Sequence, residues 1–206
     1  ERLIYLGDTA RYPYGTKSAD VVTRYTFENA RFLLDKGVKL LVIACNTMSA
    51  VALDALRADT DVPVIGVIEP GARAALAATR NRKVGVIGTE GTIASGSYTR
   101  ALRALDPKIE IYTRACPLFV ALAEEGWVEN EIARQAAGMY LASLRQSRID
   151  TLVLGCTHYP LLAKTIGDTL GPEVELVDSA TETAREVARV LAERNLEAPP
   201  GAGSTS

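Results

Sequence analysis

The sequence predicts an α/β protein, with repeated βα units forming a parallel sheet covered by helices on both faces. Three observations predict it. Short apolar runs alternate with amphipathic stretches along the whole chain, and no hairpin signal joins consecutive runs. Two of the apolar runs end in a cysteine: Leu-Leu-Val-Ile-Ala-Cys-Asn-Thr-Met around Cys45 and Thr-Leu-Val-Leu-Gly-Cys-Thr-His-Tyr around Cys156. The two settings read as an inexact duplication, one half centred on each cysteine.

Taken in order, Ile4–Leu6 is a short apolar strand candidate ending at Gly7-Asp8-Thr9, followed by a turn through Pro13-Tyr14-Gly15. Ser18 to Lys36 has helical periodicity, with Val21, Val22, Tyr25, Ala30, Phe32 and Leu33 as the inward set, Ser18 as cap and Gly37 as stop. Lys39–Ala44 is almost wholly apolar, as for a strand covered on both faces. Asn46 or Thr47 is placed to cap a helix reaching about Arg57. Val62–Val67 reads as strand and Pro70–Thr79 as helix, with proline early. Lys83–Ile87 is a strand, 88–92 a turn, and a single helix is expected from there to about Leu105. Ile109–Tyr112 is a strand, followed by helices at Leu118–Glu125 and Glu129–Arg145. Thr151–Leu154 and Val174–Val177 are strands; Pro160–Leu170 and Thr181–Arg194 are helices. From Ala198 the chain is rich in Pro, Gly and Ser and is expected to be disordered.

At 206 residues the chain is long enough for one large domain or two lobes of about 100 residues each. Hydrophobic residues make up 48%, charged residues 23%, and the net charge is −2, which favours neither direct nucleic-acid binding nor an anionic membrane. No apolar run approaches the roughly 18 residues of a membrane span. Three cysteines without a disulfide framework suit a reducing compartment, and a cytoplasmic protein is expected.

In open parallel sheets, ligands bind beyond the carboxyl ends of the strands. Asp8, Cys45, Thr89 and Cys156 all follow predicted strand ends, so four polar side chains are placed to converge on one cleft. Each of Cys45 and Cys156 precedes a helix start, where backbone N–H groups are expected to stabilise a thiolate and depress its pKa. A thiol on either face of a small substrate can remove a proton from one side of a carbon and return one to the other. Cys116, before a proline and without such a setting, reads as structural. His158, the single histidine, is two residues from Cys156 and suits positioning or proton exchange. Asn46, Thr47 and Thr157 offer donors at helix starts, suited to a carboxylate or to simple capping. No CxxC or HxxxH spacing supports a metal or a dithiol redox pair, and no glycine-rich phosphate loop supports a nucleotide. A Cys–His peptidase reading leaves Cys45 without a role.

At these residues the chain resembles the glutamate racemases of bacterial cell-wall synthesis. The matching segments are Tyr5-Leu-Gly-Asp-Thr-Ala-Arg-Tyr-Pro-Tyr-Gly15, Val42-Ile-Ala-Cys-Asn-Thr47, Pro63-Val-Ile-Gly-Val-Ile-Glu-Pro-Gly71, Val86-Ile-Gly-Thr89, Cys116-Pro-Leu-Phe119, Glu124-Glu-Gly126 and Leu154-Gly-Cys-Thr-His-Tyr-Pro160. The resemblance implies interconversion of L- and D-glutamate without cofactor or metal. It implies Cys45 and Cys156 as the two acid/base residues, with Glu124 and His158 assisting the second. Tyr14, Gly15, Asn46, Thr47, Thr89, Thr157 and His158 become substrate-binding positions. The resemblance also implies two pseudo-symmetric α/β lobes, each a parallel sheet flanked by helices, at 1–68 plus 178–206 and at 69–177, with the active site in the cleft between them. Glutamate is then the small-molecule partner, and a homodimer fits the family.

The family pattern also begins with a strand and an Asp-Ser-Gly-Val-Gly-Gly loop that this sequence does not contain. The chain therefore reads as starting about one βα unit late, on the order of 30 residues. That leaves three expectations beside the racemase: a catalytically impaired fragment, a remnant that binds glutamate or a protein such as DNA gyrase, and an aspartate-type racemase.

Overall fold

The structure is a computed structural model and describes residues 2–199. The tail expected to be disordered begins at Ala198, and its residues 200–206 lie outside the described ones. Helices and strands alternate as α1 (Ala19–Leu34), β1 (Leu41–Ile43), α2 (Asn46–Asp59), β2 (Val64–Gly66), α3 (Ile68–Ala78), β3 (Lys83–Gly88), α4 (Glu90–Ala94), α5 (Ser97–Leu105), β4 (Glu110–Ala115), α6 (Leu118–Glu124), α7 (Glu131–Gln146), β5 (Thr151–Gly155), α8 (Ala163–Leu170), β6 (Glu175–Val177) and α9 (Ala180–Glu193). A 3-10 turn at Tyr159–Leu162 leads into α8.

The strands form two parallel sheets. The larger has the order β4-β3-β5-β6, with Val84 opposite Ile111 on one side and Thr151 on the other. Its central strands explain why the sequence is so apolar there. Along β3, Val84 and Val86 face a core built with Ala72, Ala75, Tyr98 and Leu102 of α3 and α5. Ile87 faces the opposite core, built with Phe119, Leu141, Leu144, Tyr159 and Ile166. In β5, Val153 joins the first core while Leu152 and Leu154 join the second. Both faces are covered, so a strand with side chains alternating between them must be apolar throughout.

The smaller sheet pairs only β1 with β2, Leu41 opposite Val64 and Ile43 opposite Gly66. It packs with α1 and α2 around Val22, Ala30, Leu53 and Leu56. Two expectations fail here. Ile4–Leu6 is not a strand; Leu3 and Tyr5 are 89% and 86% exposed. Apolar residues make a strand only when a neighbour supplies a hydrogen-bonded ladder, and β1 pairs with β2 alone among the described residues. Likewise Val42 points outward, 40% exposed, so β1 is covered on one face and not two.

Local signals account for the helix boundaries. Ser18 caps α1 by accepting the Val21 N–H, and Gly37 takes a left-handed φ of 71° just beyond it. Val22 and Ala30 are buried as expected, but Phe32 is half exposed and Thr26 takes an inward place, its hydroxyl bonded to the Val22 carbonyl. The single helix expected before Leu105 is two, α4 and α5, separated at Gly96 with φ 65°. Neither Asn46 nor Thr47 caps α2; Cys45 occupies the cap position, and both neighbouring side chains are bonded elsewhere.

Asp150 ties the amino-terminal end of the larger sheet together. Its carboxylate accepts the Thr79 hydroxyl at 2.6 Å, the N–H groups of Arg80 and Asn81 at 2.7 and 2.6 Å, and the Thr151 hydroxyl at 3.0 Å. Burial opposes its charge, but these donors win and hold it below its usual value of 3.8. Asp150→Ala should therefore destabilise the fold by about 2 kcal/mol at neutral pH, read from urea unfolding, because the buried Thr151 hydroxyl and three part-buried donors lose a charged acceptor. A carboxylate with a depressed folded pKa stabilises above its unfolded value and ceases to as pH falls through the folded one. The gap between parent and variant should accordingly shrink below pH 3.8; a gap that stays constant with pH would contradict this account.

Candidate active site

Cys45 stands at the N-cap of α2, two residues past β1, and Cys156 directly follows β5. Strand direction thus brings each thiol to the carboxyl end of its sheet. The sequence-predicted residues fall into two groups around them.

Around Cys45, the N–H groups of Met48 and Thr47 and the Thr47 hydroxyl point at the sulfur. The Thr47 hydroxyl lies 2.9 Å from that of Thr89 and 3.3 Å from that of Thr92, and Thr89 donates to Thr92 at 3.0 Å. The Tyr14-Gly15 loop sits on this hydroxyl cluster. The Gly15 carbonyl accepts the Gly91 N–H at 3.1 Å, and a Cβ at Gly15 would lie 2.5 Å from the Thr89 Cβ. Only glycine allows that approach. Tyr14 donates to Asp8 at 2.5 Å, and Asp8 also accepts from Arg11 and Asn29. Burial works against the Asp8 charge, yet these bonds keep its carboxyl below the usual range. Asp8 thus reaches the site through Tyr14.

Around Cys156, the N–H groups of His158 and Thr157 and the Thr157 hydroxyl face the sulfur. The His158 Nδ1 is 3.7 Å from the Cys156 Sγ and 3.4 Å from the Thr157 hydroxyl. Its Nε2 is 2.5 Å from Glu124, the last residue of α6. Nε2–H donating to the carboxylate leaves Nδ1 as the acceptor on the cysteine side.

The two groups meet. Tyr98 of α5, buried, donates at 2.7 Å to Asn46 beside Cys45, and the charges of Asp178 and Cys156 both act on its phenol. Negative charge on Cys45 raises the pKa of Cys156. Burial is the larger influence on both thiols. It pushes Cys45 above its usual value and Cys156 up to about 11, in each case outweighing the N–H groups aimed at the sulfur. The expected depression by helix starts is therefore overturned: the donors are present, but desolvation exceeds them. Repulsion between the two charges disfavours a second thiolate once one has formed, so a charged sulfur that can accept a proton faces a protonated one that can supply it.

Cys116 is fully buried and pushed up to about 12. Tyr98, Thr92 and Tyr12, to which the sequence pattern assigns no role, are all bonded to site residues. A cavity of about 380 Å³ between α2, α3 and α5, lined by Ser49, Ile68, Arg73 and Ser97 among others, is distinct from the residues around the thiols.

Residues 2–187 match the family model of the Asp/Glu/Hydantoin racemases. The chain is 62% identical to the glutamate racemase of Geobacter metallireducens over 93% of its own length and 71% of that protein. Among solved structures, a glutamate racemase isoform of Bacillus anthracis matches with a TM-score of 0.90 and 43% identity, covering 94% of this chain and 73% of that one. The glutamate racemase of Francisella tularensis, solved in complex with D-glutamate, matches with a TM-score of 0.87 and 39% identity, over 94% and 72%. With a thiol past the carboxyl end of a parallel strand in each sheet and this breadth of likeness, the chain belongs to the Asp/Glu/Hydantoin racemase family and, within it, to the glutamate racemases.

Proposed function

We propose that Cys45 and Cys156 are the two acid/base groups of this glutamate racemase, acting on opposite faces of the substrate α-carbon. The observation that carries the reading is the pair of free thiols past the ends of parallel strands, each met by backbone N–H groups and close enough for the charge of one to act on the other. The chain interconverts L- and D-glutamate, the reaction of the relatives it matches, and so supplies D-glutamate for peptidoglycan. The aspartate alternative loses support because the relatives of high identity are glutamate racemases.

In this scheme one cysteine enters as thiolate and takes the α-proton, forming S–H and leaving the electron pair on the α-carbon. The opposite thiol then gives its proton to the other face and becomes the thiolate. Reversal uses the same groups in exchanged roles. The carbanion needs stabilisation without a cofactor. The N–H groups of Thr47 and Met48 and the hydroxyls of Thr47, Thr89 and Thr157 are suited to hold the substrate carboxylate where that charge develops. Tyr14, Gly15 and Asn46 complete the binding set, and Glu124 with His158 assists Cys156. In this reading the two lobes are those expected from the sequence, 1–68 plus 178–206 and 69–177, of which residues 1 and 200–206 lie outside the described ones. No helix among the described residues is long and apolar enough to cross a membrane. Free thiols as the working groups require a reducing setting, which supports a cytoplasmic location.

The direct test follows α-hydrogen loss by proton NMR from L- and D-glutamate in D2O, in separate samples. The parent chain should lose the signal in both and produce the opposite enantiomer. Cys45→Ser and Cys156→Ser should each slow racemisation roughly a thousandfold, the scale of a positioned acid/base group. A variant that racemises both enantiomers at the parent rate would remove that cysteine from the scheme.

Gly15→Ala tests the binding loop. Its new Cβ would sit 2.5 Å from the Thr89 Cβ, so the loop must lift off the hydroxyl cluster. The expected result is at least about a tenfold fall in kcat/KM with little change in the urea midpoint. Unchanged kinetics would show that Tyr14 and Gly15 do not shape the substrate site.

A further inference from the structure

The geometry points to Tyr12 as a further positioning residue of the reaction: its phenol reaches over from the loop that carries Tyr14 and Gly15 and orients Glu124, and through Glu124 the His158 ring, toward Cys156. The inference rests on the reading of Cys156, His158 and Glu124 given above.

Tyr12 and Glu124 are 112 residues apart in the chain, yet the Tyr12 hydroxyl donates to the Glu124 Oε2 at 3.0 Å. The other carboxylate oxygen, Oε1, takes the His158 Nε2 at 2.5 Å. Each oxygen therefore has one partner, and the two partners fix the carboxylate plane. The need for a fixing group is plain from exposure. The Glu124 side chain is 41% exposed at the end of α6, where a lone carboxylate would exchange rotamers and share its hydrogen bonds with water. A phenol on Oε2 removes that freedom and leaves Oε1 aimed at the imidazole.

The donor is itself well held. Two and three residues after Tyr12, Tyr14 is bonded to Asp8 and Gly15 is seated against Thr89, with its carbonyl on the Gly91 N–H. Just before it, Arg11 is paired with Asp8 and Glu28. A loop pinned on both sides presents the phenol at a fixed point. The bond from Glu124 also raises the Tyr12 pKa, so the phenol stays protonated and remains a donor. The consequence lies at the far end of the chain of bonds. With Nε2–H committed to Glu124, the ring keeps its Nδ1 lone pair facing the Cys156 sulfur 3.7 Å away.

The test compares the parent with Tyr12→Phe, Glu124→Gln and the double variant. Phenylalanine removes one exposed oxygen and keeps the ring, so folding is not at risk. Tyr12→Phe should lower kcat roughly tenfold, the scale of one hydrogen bond to a charged group, while KM stays within about twofold. Glu124→Gln should lower kcat at least as much, and adding Tyr12→Phe to it should cost nothing further, because the phenol acts only through the carboxylate. A second readout does not depend on turnover. His158 is the only histidine in the chain, so nitrogen-15 NMR of the labelled imidazole reports one ring. The parent should show the Nε2–H tautomer and Tyr12→Phe a mixture of the two. Parent-like kcat together with an unchanged ring spectrum in Tyr12→Phe would overturn the inference. So would a loss that persists undiminished in the Glu124→Gln background, which would move Tyr12 to the substrate itself. If Glu124→Gln alone keeps the parent kcat and ring spectrum, it is the underlying relay from Glu124 to Cys156 that fails.

Discussion

Among the described residues the two sheets share no backbone hydrogen bonds, and what relates one thiol to the other is a buried polar seam. On one side of it the hydroxyls of Thr47, Thr89 and Thr92 bond to one another; on the other Tyr98 bonds to Asn46. All five side chains are buried. A buried polar atom without a partner costs free energy, and apolar packing alone would leave the helices free to slide. The seam removes that freedom, because a shift of α2 against α4 or α5 would break several bonds at once. Cys45 stands immediately before Asn46 and Thr47, so the residues that fix the seam also fix the sulfur.

Desolvation and proton affinity then follow from the same packing. A seam dry enough to hold hydroxyl pairs is dry enough to raise both thiols, and the N–H groups directed at them restore only part of what water would give. This favours proton transfer from a carbon acid. A thiolate with low proton affinity would be abundant and too weak a base; a thiolate raised by burial is rarer and stronger. The mutual repulsion of the sulfurs adds the second requirement, since it keeps one of them protonated while the other is charged.

Much of the larger sheet was legible because its physics is local in sequence. After Lys83 and Thr151 at their first positions, β3 and β5 hold only apolar residues and glycine since both faces are covered, and that pattern survives without knowledge of the neighbours. Ser18 and Gly37 announced the ends of α1 for equally local reasons. The failures are those of partners. Nothing within Ile4–Leu6 says whether a ladder exists beside it, and nothing at Val42 says that its side chain lacks cover. At the site, the two cysteines and the single histidine could be singled out because repetition and rarity are visible in one chain. Tyr98 and Tyr12 could not, since each matters through one hydroxyl bonded to a residue far along the chain. The sign of the thiol shifts was missed for a related reason: a helix start is local, whereas burial is the sum of everything that packs above it.

The two halves of the site are unlike in chemistry. Cys156 is backed by a ring and a carboxylate that can move or hold protons, whereas Cys45 is backed by hydroxyls and by Tyr14, whose phenol is pushed upward by burial and by the Asp8 bond. Such asymmetry cannot favour one enantiomer at equilibrium. L- and D-glutamate have equal free energy in water, so kcat/KM must be equal in the two directions whatever surrounds each sulfur. What the asymmetry can set is how each direction divides that ratio between kcat and KM. It does so through the cost of placing the resting thiolate on one sulfur or the other before the substrate arrives. In the proposed two-thiol scheme, the relay on Cys156 and the hydroxyl cluster on Cys45 would thus act on the distribution of a single proton between two thiols, and the energy of that distribution would be the quantity the surrounding fold controls.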